Sequence, residues 1–72
     1  MTIIDTTTKY IEAQLNYASI EPADAQIYEH NAFGALELAC RILYEQRDYE
    51  ASKTLEDTWN REWRNLFHQL YR

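Results

Sequence analysis

Arginines and aromatic residues are concentrated near the C-terminal end of this chain. Residues 59–72 have a net charge of +2, from three arginines and Glu62, whereas residues 1–58 have a net charge of −7, from four basic and eleven acidic residues. If this segment is a helix, successive side chains are rotated by about 100°. One side of that helix is then basic, with Arg61, Arg64, His68 and Arg72. The other side has the bulkiest apolar stripe in the sequence, with Leu55, Trp59, Trp63, Leu66, Phe67 and Leu70.

The division of this helix into a basic side and an apolar side has three interpretations. The arginines can simply be favoured near a helix C-terminus by the helix dipole and by acidic neighbours. They can also belong to a protein-binding surface, because Arg, Trp and Tyr dominate binding energy at protein interfaces. Contact with nucleic acid is the third, and a lone stripe of this size binds phosphate weakly unless a dimer doubles it.

Six tyrosines are more than a core of this size can hold. Their rings pack while their hydroxyls need water or a partner, so some of them should lie at the boundary of the core. Acidic residues between Glu45 and Asp57 surround two of them, and such a patch is either simply solvated or complementary to a basic groove on a target. The residues that we predict to contact another protein are Tyr44, Tyr49, Arg61, Trp63, Arg64, His68, Tyr71 and Arg72.

Catalytic chemistry has few candidate residues. The sequence contains no HExxH, no glycine-rich phosphate loop, no GxSxG and no paired ExxH motif. Cys40 is the single cysteine, so an internal disulfide is excluded, and we interpret it as a small buried hydrophobe, with a redox or nucleophilic role as the alternative. His30 and His68 are interpreted as surface or helix-cap groups. The sequence therefore predicts a non-enzyme without a cofactor or a bound metal.

The central segment has the regular spacing of one helix face. Positions alternate by three and four along Ala25, Tyr28, Ala32, Ala35, Ala39 and Ile42, and Leu36 and Leu43 widen the stripe. We call this stripe the alanine seam. Because alanine keeps a helix slim, a partner helix with bulky side chains can approach closely. The aromatic stripe of residues 55–70 is the predicted partner.

Helix boundaries are predicted from the helix-capping residues and the helix-breaking residues of the sequence. The spacing predicts helices over about 6–18, 22–46 and 49–71, with the first capped within Asp5–Thr8 and the second starting at Pro22. Gly34 is expected to lie inside an unbroken second helix, although a break with Asn31 as a new cap is the alternative. Asp48 is a good N-cap, so a turn before it would fold the third helix back on the second. One continuous helix from residue 22 to residue 71, dimerised along its length, is the other possibility.

The segment Leu43-Tyr44-Glu45-Gln46-Arg47-Asp48-Tyr49-Glu50-Ala51 resembles the inter-helix turn of a tetratricopeptide repeat, in which a tyrosine, a short polar turn and another tyrosine precede the second helix. The resemblance covers one hairpin. Arg47 stands where that family has a glycine, and no second copy of the repeat occurs in the chain. The resemblance implies a helix–turn–helix hairpin and no binding residues.

Composition and length bound the fold class. The chain has 72 residues with one Gly and one Pro, so several tight β-hairpins are unlikely and the predicted class is all-α. We expect one domain over residues 1–72, a small helical bundle with a short N-terminal helix and a long antiparallel helical hairpin. A core of this size gives little net stability, and oligomerisation is the common remedy, so a homodimer is expected.

Net charge and hydropathy limit the range of possible functions. The net charge of −5 opposes general attraction to nucleic acid or anionic lipid, and no apolar run is long enough to span a bilayer. We predict a cytoplasmic interaction module that binds itself and a larger protein. Small acidic helical proteins of this kind include phage- and plasmid-type inhibitors that block host transcription regulators or CRISPR effectors. The alternatives are a dimeric nucleic-acid-binding regulator and a structural assembly subunit.

Overall fold

Three helices of similar length form the molecule. The structure, a computed structural model, describes residues 2–70, with side chains described as far as residue 68. Helix α1 spans Ile3–Ile20, a short 3₁₀ segment spans Pro22–Asp24, α2 spans Ala25–Glu45 and α3 spans Tyr49–Leu70. No strand occurs among the described residues, so the predicted all-α bundle is confirmed. None of these helices is long and apolar enough to cross a membrane.

Helix α1 begins earlier than the sequence predicts. The hydroxyl of Thr2 accepts a hydrogen bond from the backbone N–H of Asp5 at 3.1 Å, so Thr2 is the N-cap and the cap predicted within Asp5–Thr8 is wrong. Ile3 and Ile4 pack against the core, which explains why the first turn lies N-terminal to the threonine run. The first helix is therefore nearly as long as the other two.

Helix α2 is unbroken across Gly34, and the predicted continuity is confirmed. Pro22 occupies the first turn of the 3₁₀ segment, where its missing N–H leaves no partner unsatisfied. This segment shifts the start of α2 from the predicted Pro22 to Ala25.

A tight turn joins α2 to α3, as predicted, and the continuous-helix alternative is wrong. The N–H of Asp48 donates to the carbonyl of Leu43 at 2.8 Å and the N–H of Arg47 donates to that of Tyr44 at 3.0 Å, which is the Schellman pattern. Arg47 has φ 59°, the left-handed conformation that glycine usually supplies. The Asp48 carboxylate accepts from the N–H of Ala51 at 3.2 Å and so caps α3, as the sequence indicates.

The core lies between the three helices. Its buried apolar residues are Ile11, Leu15, Ala18, Ala25, Ala32, Leu36, Ala39, Cys40, Leu43, Ala51, Leu55 and Leu66. Most of the alanine seam is thus inside the protein, with Ala32 fully buried.

The predicted partner of the alanine seam is correct for only part of the seam, because Leu36 lies beside Trp59 of α3 in one depression, whereas the alanine edge faces another helix. Ala35, Ala39 and Ile42 share a groove with Ile3 and Tyr10, so this edge of the seam faces α1 and not the aromatic stripe of α3. The bulkier edge of α2, with Phe33 and Cys40, faces α3 instead. Spacing along a helix defines which residues share a face, and it does not specify which neighbour covers that face.

The aromatic residues of α3 lie at the edge of the buried face. Leu55 and Leu66 are buried as predicted, but Trp59 is half-buried, and Trp63 and Phe67 are 37% and 42% exposed. Ala51, Ser52 and Thr58 are buried in their place, which lets α3 approach the core closely. Leu70, the last member of the predicted stripe, has a side chain outside the described residues.

Candidate protein-interaction surface

Phe33, Trp59, Trp63 and Phe67 form one surface along the junction of α2 and α3. The rings of Phe33 and Trp59 have their centroids 5.6 Å apart in an edge-on arrangement, and those of Trp63 and Phe67 lie 5.3 Å apart. Phe33 is 45% exposed. Trp59 and Trp63 are one helical turn apart on α3, which brings the two pairs into line. We call these four residues the aromatic surface.

Two shallow depressions lie within the aromatic surface. The smaller, of about 180 Å³, is lined by Glu29, His30, Phe33, Trp59 and Trp63. The larger, of about 370 Å³, is lined by Phe33, Leu36, Glu37, Cys40, Glu56, Trp59 and Asn60. Both have Phe33 and Trp59 in their lining, so they are neighbouring parts of one groove. A side chain of a partner protein could enter either part.

Carboxylates border this groove. Glu29 and Glu37 come from α2 and Glu56 comes from α3, and these three residues are called the acidic rim. Among the described residues, an ion pair forms between Arg61 and Glu62, which lie elsewhere on α3. The acidic rim therefore keeps its negative charge available for a cationic group from outside.

The predicted interaction residues fall into separate groups. Tyr44 and Tyr49 flank the turn with ring centroids 5.3 Å apart and are 52% and 58% exposed. Trp63 lies fourteen positions beyond Tyr49, which is about 21 Å along the α3 axis. The tyrosine pair and Trp63 are thus at opposite ends of the hairpin.

The basic residues of α3 that the structure describes do not form a single site together with the aromatic surface. The Arg61 guanidinium pairs with Glu62 at 3.3 Å, an exposed pair that contributes little to stability. Arg64 is exposed on α3, and the His68 ring contacts Phe67 with centroids 6.3 Å apart. Tyr71 and Arg72 lie outside the described residues. Through this contact with Phe67, His68 adjoins the aromatic surface.

Phe33 is the functional candidate that the sequence reasoning missed. It lies beside Gly34, in a segment whose sequence indicates only a possible helix break. The sequence signal for Phe33 is that it lies outside the alanine seam. It shares a different side of α2 with Glu37, one helical turn later, and with Cys40 and Arg41, two turns later. A phenylalanine outside the predicted buried stripe marks a second apolar face.

Cys40 and the acidic side chains form no metal-binding cluster in the described part of the chain. Cys40 is buried, and its thiol contacts the backbone carbonyl of Ser52 at 3.9 Å, consistent with its interpretation as a core residue. Within residues 2–68, no group of three or more His, Cys, Asp or Glu side chains is arranged to hold a metal ion.

No family model, curated protein or solved structure matches this chain. The properties of the aromatic surface are therefore the basis for a proposal about function.

Proposed function

We propose that this chain is a non-enzymatic protein-interaction module that binds a larger protein in the cytoplasm through its aromatic surface. The observation that supports the proposal is the alignment of four aromatic side chains, three of them over a third exposed, on one face of a small protein. Contiguous apolar patches on small proteins commonly mark interaction sites. Tryptophan is also the residue type most enriched among interface hot spots.

The acidic rim supports a proposal about the kind of target. Glu29, Glu37 and Glu56 border aromatic faces that also attract cations, so the groove is suited to lysine or arginine side chains set among apolar residues. The proposed target is a basic, partly apolar surface of a larger protein. A host transcription regulator or a CRISPR effector, both of which bind nucleic acid through basic surfaces, would fit this description, and occupying such a surface would inhibit it.

Capture from a lysate with matched variants tests this proposal. We expect the wild-type protein to retain a stoichiometric partner, and Trp63→Ala with Phe67→Ala to lose it. The control is Tyr44→Ala with Tyr49→Ala, which removes the other exposed aromatic pair, of equal ring separation. Circular dichroism confirms that each variant is folded. Partner retention by the first variant and loss by the second would place binding at the turn and contradict the proposal.

Trp63→Ala also separates binding from stability. Because Trp63 is 37% exposed, its removal should reduce the free energy of unfolding by about 1–2 kcal/mol, below the 3–5 kcal/mol typical of a fully buried tryptophan. Its effect on partner affinity should be larger, about 2 kcal/mol or more, if it is a hot spot.

Nucleic-acid binding is the less supported alternative. Of the arginines predicted for it, Arg61 is paired with Glu62, Arg64 is exposed and Arg72 lies outside the described residues. Binding that weakens steeply with salt would support this alternative, because release of phosphate counterions sets that dependence.

A further inference from the structure

The outer face of α2, which borders the groove between α1 and α2, has its own regular pattern. Its members on α2 are Ile27, Asn31, Gly34, Leu38 and Arg41, which recur at alternating steps of four and three, and Asp24 at the end of the 3₁₀ segment continues the same spacing. All six are exposed, and the two large apolar residues are strongly so, Ile27 by 59% and Leu38 by 63%. This face is distinct from the aromatic surface. It adjoins the alanine seam at the groove between α1 and α2, where the side chain of Asn31 donates a hydrogen bond to that of Gln14 at 3.2 Å.

Gly34 has no structural role that requires glycine within one molecule. Apart from its chain neighbours and the backbone of its own helix, a Cβ atom built at Gly34 has no atom within 4 Å, and the backbone there is ordinary helix. Glycine inside a helix is destabilising relative to alanine, and its use is to allow another backbone to approach. Depressions of about 660 Å³ and 420 Å³ are both lined by Gly34 and Leu38, so these residues lie between two hollows.

The order of residues on this face suits an antiparallel pairing with itself. If two copies of α2 cross with a two-fold axis between Asn31 and Gly34, each Ile27 lies opposite Leu38 of the second copy, and Asn31 lies opposite Gly34. The same axis places Asp24 of each copy near Arg41 of the other, so the ends of the contact are complementary in charge. Leu38 of each copy can then enter a hollow beside Gly34 of the other, as ridges enter grooves between packed helices.

We propose that a second copy of this chain docks on the outer face of α2, forming a two-fold dimer with Gly34 at the helix crossing. This proposal is independent of the function proposed above, because it uses a different face and leaves the aromatic surface of both copies open.

Charge reversal tests the pairing by sedimentation equilibrium. The wild-type protein should be dimeric at a concentration of about 100 μM. Arg41→Asp and Asp24→Arg should each raise the dimer dissociation constant about tenfold or more, and combining them should restore it, because every reversed pair is again opposite in charge. Arg64→Asp on α3 is the control and should leave the constant unchanged. A monomeric wild-type protein, or a double variant as weak as the single ones, would overturn the proposal.

Gly34→Leu gives a second test that does not depend on charge. Gly34 is exposed between two open hollows, so we expect a leucine side chain there to leave helix content unchanged within one molecule. The larger side chain should block the crossing and make the protein monomeric. A dimer that persists in Gly34→Leu would show that the contact lies elsewhere. Trp63→Ala with Phe67→Ala should remain dimeric, which distinguishes a failure of this proposal from a failure of the proposed function.

Discussion

Ser52 lies in the core with an unsatisfied hydroxyl. Its side chain is 1% exposed, and its Oγ has no hydrogen-bond partner within the part of the chain that the structure describes. Burying a hydroxyl without a partner is unfavourable, whereas alanine is smaller and has a higher helix propensity. Serine at this position therefore destabilises the fold through its hydroxyl, while its small size is compatible with the close approach of α3.

The substitution Ser52→Ala should raise the free energy of unfolding by about 1 kcal/mol, because it removes the buried, unsatisfied hydroxyl. Thr58→Val is the matched control, because the Thr58 hydroxyl donates to the carbonyl of Thr54 at 3.0 Å and its removal should give no gain. Denaturant unfolding monitored by circular dichroism measures both. A loss of stability in Ser52→Ala would mean that the hydroxyl is satisfied in solution.

Tyr28 connects α2 to the segment that precedes it. Its hydroxyl donates to the Glu21 carboxylate at 2.8 Å, and its ring lies 5.7 Å from that of Tyr17. The hydrogen bond to Glu21 raises the pKa of Tyr28 above its ordinary value of 10.0, with further contributions from burial and from the nearby Asp24 carboxylate. The folded state thus favours the neutral phenol.

The stabilisation from Tyr28 should be lost at alkaline pH. A pKa that is higher in the folded state gives a contribution that is complete below the ordinary value of 10.0 and disappears as the pH rises through the folded value. Tyr28→Phe should be less stable than the wild type at pH 7 and should lose less stability on going to about pH 11. Unfolding curves at several pH values measure this, and parallel losses in the two proteins would exclude a role for Tyr28.

Among the elements, the α2–α3 turn is held by hydrogen bonds despite an unfavourable residue. Arg47 has φ 59° where glycine would be unstrained, while Gln46 before it has φ −81° and ψ −1°, a right-handed conformation. The sequence predicts the turn from Asp48, a good N-cap. It does not predict the left-handed conformation of Arg47, because glycine, and not arginine, is the residue typical of that position.

Arg47→Gly should therefore stabilise the protein by up to about 1 kcal/mol, as relief of the left-handed strain exceeds the added chain entropy. Gln46→Gly, one position earlier, should destabilise it by about 0.5–1 kcal/mol, because glycine there adds only entropy to the unfolded chain. Thermal melts of both variants are sufficient. Equal effects of the two would show that the turn does not hold Arg47 in the left-handed region.

The alanine seam gives a comparison between two of its own positions. Ala32 is fully buried, whereas Ala35 is half-buried at the edge of the groove between α1 and α2. Ala32→Leu should destabilise the protein by about 1–3 kcal/mol through overpacking. Ala35→Leu should change stability by less than about 0.5 kcal/mol, because its side chain can extend into the groove. Denaturant unfolding distinguishes them, and a similar loss in both would mean that the groove is closed in solution.

Periodicity was sufficient to predict the helices but not their partners. The stripes of α2 and α3 identify buried residues such as Leu36 and Leu55, because apolar spacing reports which side of a helix is covered. The position of Trp63 could not be obtained this way, since the small residues Ala51 and Thr58 are buried ahead of the larger indole. The aromatic surface combines residues of two helices, so it is visible only after the helices are packed.

At the scale of the whole molecule, two apolar faces remain exposed on a protein that measures 38 × 18 × 17 Å. The aromatic surface and the outer face of α2 are both formed in part by α2, which also supplies half of the buried apolar core residues. A small domain buries a low fraction of its surface, so additional burial on association has a large effect on its stability.

The melting temperature of the wild-type protein should therefore rise with protein concentration, since dimer formation stabilises the folded state by mass action. Gly34→Leu should melt at a temperature that does not depend on concentration. Calorimetric scans over about a hundredfold range of concentration compare the two, a range that corresponds to about 2.7 kcal/mol of linked free energy per dimer. A constant melting temperature in the wild type would indicate that folding is independent of association.

Cys40 gives this protein a built-in chemical reporter. It is the single thiol in the chain, it is buried, and it lies against the backbone of Ser52 on the neighbouring helix. Because its thiol is buried at the wall of the groove, maleimide labelling should speed up when α2 and α3 separate, so the labelling rate reports how often the hairpin opens. Because the aromatic surface spans the same two helices, any ligand seated across them would slow that labelling, and occupancy could be followed without attaching a probe elsewhere.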